Sequence, residues 1–399
     1  MAHSLPRRSA VYQADLNRNL VCDKYTQIRI LMVSTSYPRD EGDWRGLFIR
    51  DLGDALGRRA DLRLLLWAPP GKRPDSITDA TTIEESRWLD LLTQSGGIAH
   101  MLRSNALRGG WIALRLLRHL RRAYARNAPG LDVVHCNWLQ TMLPVPRKLP
   151  VLVTVLGSDM QLLKLPLMPV LLRRAMRGRP VAICPNADWM AGPLRAHFGG
   201  VAEVQTVPFG VDARWFTVRR QLPSDPPSSW LLVARVTRDK LGELFAWGEQ
   251  VFADKRRELH LFGPMQEQIN LPGWVHYHGP VTSTELCRHW FPRAHGLITL
   301  SRHSEGRPQV MLEAMAAGLP IIASQLPAHG DLLEQGRTGM LCASQSEFAD
   351  AILRLEDGVE NHRVGVAARA WVRDRVGTWD DCASRYVELY RELVAGARR

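Results

Sequence analysis

The stretch GLITLSRHSEGRPQVMLEAMAAGLPIIAS, residues 296–324, reads as strand, loop, helix and strand in immediate succession. GLITLS and LPIIAS are short apolar runs of the kind found in a sheet covered on both faces, and the segment between them has room for one helix. Pro308 suits the first turn of that helix and Gly318 its carboxyl cap. Strands joined by a helical crossover pair in parallel, so this stretch predicts an α/β domain.

Outward from it, the alternation recurs. WLLVARV (230–236), LHLFG (259–263) and VHYHG (275–279) precede it, and IRILMVSTSYP (28–38), LRLLLWAP (62–69), DVVHCNW (132–138), VLVTVLG (151–157) and VAIC (181–184) form a separate set. Between the sets lies TVRRQLPSDPPSS (217–229), rich in Pro and Ser as interdomain linkers are. The expected organisation is an N-terminal extension (1–27), a doubly wound Rossmann-like domain (28–210), a linker (211–229), a second such domain (230–375) and a C-terminal helix (376–399) packing back on the first domain.

The 399 residues, 45% of them hydrophobic, supply core enough for two domains. Six scattered cysteines, with no Cys-x-x-Cys pair and no Cys/His cluster at metal spacing, point to a reducing compartment, the cytosol by default. MAHSLPRRSAVYQADLNRNL lacks the apolar run of a signal peptide, and no run of about 18 apolar residues suggests a membrane span. A formal net charge of +12 calls for an anionic partner: nucleic acid, a phospholipid surface or a phosphorylated substrate.

The loop RHSEGRP sits where α/β proteins bind ligands, at the carboxyl edge of a parallel sheet and the start of a helix. The amides of residues 306–310 and the helix dipole favour an anion such as phosphate. Glu305 and Glu313 would repel a phosphate, so they would face neighbouring hydroxyls, with Glu313 leaning back toward the helix start. A ligand whose phosphates are flanked by hydroxylated rings satisfies both. The alternative is that the two acids simply complement the helix dipole.

SEGRPQVMLEAMAAGLPIIAS resembles the Glu-x7-Glu signature of retaining nucleotide-sugar glycosyltransferases of the GT-B fold, family 4 in particular. Other blocks match in order. SYPRDEGDWRGLFIRDLGDAL looks like the family's first loop and helix, DVVHCNW its DVVHxHx strand, and TVLGSDM its TxHGSD turn. VPFGVDARWF is similar to its domain junction, LLVARVTRDKLGEL to its xxVGRLxxEKG segment, and VHYHGPVTSTEL to its VxFxGxVxxxEL. This chain departs from the pattern at Leu156, where His is usual, at Asn137, and at Leu241, which separates Lys240 from Gly242.

The resemblance implies GT-B, two Rossmann-like domains across a cleft, and a reaction in which a nucleoside diphosphate leaves the sugar. It assigns Arg235 and Lys240 to the diphosphate, Glu305 to donor-sugar hydroxyls, Gly306, Arg307, Gln309 and Val310 to sugar and phosphate, and Glu313 to the ribose. Gly46 would approach the diphosphate from the first domain, with Gly42 as competitor. His135 either contacts acceptor or packs, and Asp159 either caps a helix or contacts acceptor; Leu156 lies near the donor sugar. No metal and no cofactor is implied, and DEGD (40–43) reads as solvated loop acids. An epimerase, a phosphorylase or a catalytically silent scaffold is the alternative to a transferase.

Residues 101–130 contain no acid and seven arginines, and Trp111, Leu114, Leu117 and Tyr124 share helical spacing. The segment reads either as an interfacial helix on anionic lipid, with 171–179 as a second contact, or as a domain helix with solvated arginines. The partners expected are a nucleotide-sugar donor, a glycan or lipid-linked acceptor and, through 101–126, an anionic membrane. Nucleic acid is not expected, since no binding module accompanies the charge. The expected place is the cytoplasm, peripheral at the inner face of the plasma membrane.

Overall fold

The computed structural model describes residues 27–40, 42–94, 106–223 and 225–399. The first domain is built on a parallel seven-stranded sheet of β1 (Ile28–Val33), β2 (Leu62–Trp67), β3 (Ile77–Asp79), β4 (Val133–Asn137), β5 (Val151–Val155), β6 (Val181–Pro185) and β7 (Glu203–Val204). Their spatial order is β3-β2-β1-β4-β5-β6-β7. The second domain carries β8 (Ser228–Val233), β9 (Arg257–Phe262), β10 (Val275–Gly279), β11 (Gly296–Thr299), β12 (Ile321–Ser324) and β13 (Met340–Cys342), ordered β10-β9-β8-β11-β12-β13 and again parallel. In both sheets the order reverses beside the first strand, which opens a crevice at the carboxyl edge. β8 begins at Ser228, inside the stretch read as linker, because the Ser228 amide already bonds to Arg256 O at 2.9 Å.

Alternate residues of the central strands feed opposite cores, as the period of two requires. Val134, Cys136, Val153 and Ile183 face one helical layer, while Val133, Leu152, Ala182 and Cys184 face the other. The first layer includes α1 (Ile83–Gln94), α2 (Ala106–Asn127) and α3 (Met168–Met176). The second includes helix Leu47–Gly57 and the C-terminal helix Trp379–Arg398, whose Trp379, Tyr386, Tyr390 and Leu393 are buried in the first domain's core. That last helix starts from a reciprocal capping box between Thr378 and Asp381. The chain crosses between domains twice, and the crossings touch: Val211 bridges Thr378, and a Cβ on Gly210 would lie 2.2 Å from Thr378 O.

The apolar stripe expected on 101–126 is divided. Within α2, Ile112, Leu116, Leu120 and Tyr124 are buried, with Tyr124 Oη donating to Thr141 O at 2.8 Å, whereas Trp111 and Leu114 are exposed. Tyr124 therefore belongs to the core and not to a surface stripe. Residues 101–105 lie outside the described residues.

Candidate active site

Helix Gln309–Ala316 starts after Pro308 and ends at Gly318 (φ +70°), whose neighbour Leu319 donates its amide to Ala314 O at 2.8 Å. Only a residue tolerant of positive φ closes the helix this way. The loop before the helix presses against the first domain. A Cβ on Gly157 (φ +94°) would lie 2.3 Å from the Gly306 amide nitrogen, and one on Gly306 would meet Leu156 O and Asn186 Oδ1, both at 2.7 Å. Trp189 Nε1 donates to Gly306 O at 2.8 Å, so the cleft is shut at this point.

Lys240 Nζ bonds the Glu305 carboxylate, and both side chains are largely buried. Burial lowers the Lys240 pKa, Glu305 works against that, and Arg235 adds to the lowering. The turn carrying Lys240 is fixed by Thr237, whose side chain caps residues 238–241, and by Gly242, where a Cβ would fall 1.8 Å from Leu300 O. Leu241, unexpected between Lys240 and Gly242, is a buried core residue that leaves both neighbours at the site. Arg235 stands over the ring of Trp44, 5.4 Å from its centroid, so the cation of the second domain meets an aromatic of the first. Burial and the cations of Lys240 and Arg235 lower the His303 pKa.

On the first-domain side Gly46 (φ +71°) precedes helix Leu47–Gly57, and a Cβ there would fall 2.8 Å from the Tyr37 amide nitrogen. Asp43 of DEGD is held by Arg45 at 2.9 Å. Glu313 is partly buried; burial, then the carboxylates of Asp51 and Asp212, push it up to about 8 against the pull of Arg214.

Four expected ligand contacts are occupied elsewhere. His135 is fully buried, with Nδ1 2.6 Å from Tyr390 Oη and Nε2 2.7 Å from Thr154 Oγ1, and burial lowers it to about 3. It packs as a neutral core residue because the C-terminal helix covers it. Asp159 accepts from Leu139 N (2.7 Å) and Leu156 N (2.9 Å), so it ties β5's exit to the turn after β4 and neither caps a helix nor faces an acceptor. The Arg307 guanidinium is buried on Asp331, which also accepts from the amides of Asp188 (3.1 Å) and Trp189 (3.2 Å). Arg307 thus clamps the two domains with its side chain. Gln309 likewise spends its amide on Gly210 O at 2.8 Å. Val310 is partly buried against the second domain's core, and Leu156 against the first's.

Sequence reading missed Trp44, Asn186 and Trp189. Asn186 is buried at the carboxyl end of β6, and its Oδ1 has no hydrogen-bond partner among the described residues. Its place just past VAIC, level with Leu156, was the available signal. Among the described residues no group of three or more His, Cys, Asp or Glu has the geometry to hold a metal ion.

Residues 233–357 match the family model described as Glycosyl transferases group 1. The chain carries a group 1 glycosyltransferase domain. Its Lys240–Glu305 pair, Gly306 and Glu313 all fall within the matched segment. The D-inositol 3-phosphate glycosyltransferase of Paenarthrobacter aurescens (strain TC1) is 28% identical over 236 residues, 53% of this chain and 57% of that protein. The chain therefore spans little more than half the length of that curated relative. Sucrose-phosphate synthase from Thermosynechococcus elongatus superposes with a TM-score of 0.67 at 18% identity, over 92% of this chain and 100% of the other. Anabaena HepE, in complex with UDP and glucose, does so with 0.62 at 14%, over 92% and 100%. The group 1 domain and the sheet that faces it together make the GT-B fold.

Proposed function

We propose that this protein is a retaining glycosyltransferase that moves a sugar from a nucleotide-sugar donor, UDP-, GDP- or dTDP-linked, to a glycan or lipid-linked acceptor in bacterial cell-surface polysaccharide synthesis, in the cytoplasm. The observation that carries the reading is the Lys240–Glu305 pair beside Arg235 at the start of helix Gln309–Ala316. Breaking the anomeric C–O bond builds negative charge on the diphosphate and positive character on the sugar. Fixed cations and a helix N-terminus stabilise the first, with no general base required.

Lys240 and Glu305 satisfy each other. A donor exchanges that contact for two: the ammonium turns to a phosphate oxygen, and the freed carboxylate accepts from sugar hydroxyls. Arg235 adds a planar pair of donors whose orientation Trp44 maintains. Glu313, largely protonated near neutral pH, can donate to a ribose oxygen as well as accept. The leaving diphosphate and the incoming acceptor hydroxyl share the front face of the sugar, so the new bond forms on the side the old one leaves while the hydroxyl's proton passes to the departing phosphate oxygen.

Incubating the purified protein with a panel of UDP-, GDP- and dTDP-sugars, with and without EDTA, tests this. Slow release of nucleoside diphosphate from one donor, unaffected by EDTA, is expected. An isomerised donor would indicate an epimerase, and no turnover of any donor a silent scaffold.

A further inference from the structure

The charge of this chain is not spread over it. Residues 91–187 hold fourteen Lys and Arg against two acids, Asp132 and Asp159, a net +12 that equals the whole chain's formal charge of +12; the rest of the molecule is balanced. Asp159 is buried, and Asp132 accepts from the Arg29 amide at 2.8 Å.

On the same helical layer, at the start of α3, Leu165, Leu167, Val170 and Leu171 are 49%, 72%, 63% and 48% exposed, while Leu172 and Met176 anchor the helix in the core. Four large apolar side chains within seven residues form a contiguous patch, unlike single exposed residues scattered over a surface. Lys164, Arg173, Arg174 and Arg177 surround them and are exposed. The first half of neighbouring α2 repeats the combination: Trp111 and Leu114 are 58% and 50% exposed, and Arg115 lies 5.3 Å over the Trp111 ring.

Crossover helices run against their strands, so both helices begin at the carboxyl edge of the sheet, the edge on which the cleft opens. Apolar side chains ringed by arginines match the headgroup boundary of an anionic bilayer, where the chains enter the acyl layer and the guanidinium groups meet phosphates.

We propose that the 165–171 turn and the start of α3 insert into an anionic membrane, with the arginines of α2 and α3 on its surface. The contact sits beside the turn at Gly157, so it holds the mouth of the cleft at the membrane, where a lipid-linked acceptor would present its sugar. That last step rests on the transferase reading; the membrane contact does not. It also shifts the main contact from 101–126, where half the apolar stripe is internal, to the segment after β5.

Co-sedimentation with phosphatidylcholine vesicles containing phosphatidylglycerol, against pure phosphatidylcholine, tests the proposal. Binding to the anionic vesicles is expected, weakened by salt. Replacing Leu167→Ser and Val170→Ser together is expected to reduce vesicle affinity by about tenfold or more at unchanged thermal midpoint. Donor hydrolysis in vesicle-free buffer is expected to be unchanged. Equal binding by the double variant, no binding to anionic vesicles, or tighter binding to RNA or DNA than to vesicles would each overturn it. Vesicle binding without hydrolysis of any donor would leave this proposal standing and remove the transferase reading.

Discussion

Gly157 and Gly306 meet backbone to backbone: a Cβ on Gly157 would lie 2.3 Å from the Gly306 amide nitrogen. The contact joins the exit of β5 in one domain to the loop before helix Gln309–Ala316 in the other. It sets the distance across the cleft at the point where the chemistry is placed.

Gly157→Ala is therefore expected to keep the domains folded yet prevent their full approach. Turnover should fall by at least about tenfold, on the order of 1.4 kcal/mol of transition-state stabilisation. Steady-state kinetics and small-angle scattering check this together; an unchanged rate with an unchanged radius of gyration would show that the contact is not needed.

Glu313 supplies a pH signature. A carboxyl pushed up to about 8 in the folded protein binds its proton more tightly there than in the unfolded chain, where glutamate titrates near about 4.3. Stability from this group is fully present below that value, falls as pH rises between the two, and is gone above about 8. Compared with Glu313→Gln, the native protein should lose thermal midpoint progressively from pH 5 to pH 8. Parallel profiles for the two proteins would argue against a protonated Glu313.

Asp159 ties two turns together from within the core, so its removal acts on stability. Asp159→Ala leaves the amides of Leu139 and Leu156 without their acceptor, a loss of about 2–4 kcal/mol. Urea denaturation should show the midpoint falling; a midpoint equal to the native one would return Asp159 to the list of acceptor contacts.

Much of this was legible in the sequence. The strands are near-continuous apolar runs because both faces of each sheet are covered, and Lys240 and Glu305 were placed at one site because two strand ends come to one edge; their ion pair with each other was not foreseen. The unreadable part depends on partners far along the chain. His135 is held neutral by burial and bonds Tyr390, 255 positions away, and Arg307 is taken by Asp331 within a clamp that reaches Asp188 and Trp189. Nothing local distinguishes a histidine at a strand's end that faces solvent from one lying under a helix. Tyr124 joined the apolar stripe by helical spacing, and only the packing of α2 on the sheet turns it inward.

Leu156 supplies a test of donor choice. Its side chain packs against the first domain's core and offers no hydrogen bond, and its backbone carbonyl lies against Gly306. A donor hydroxyl buried against it would lose a partner at a cost of about 1–3 kcal/mol. A 6-deoxy sugar or pentose is expected to turn over faster than the matching hexose on the same nucleotide, and Leu156→His to reverse the order. Native preference for the hexose would remove Leu156 from the specificity determinants.

The most direct measurement is the rate of nucleoside diphosphate release from the preferred donor, with the anomeric configuration of the product read by NMR, for the native protein and for Arg235→Ala with Lys240→Ala. The native enzyme should retain configuration, and removal of both cations should cost at least about 2–3 kcal/mol of transition-state stabilisation, roughly a hundredfold in rate. A double variant that turns over at the native rate, or a product of inverted configuration, would contradict the assignment of this site.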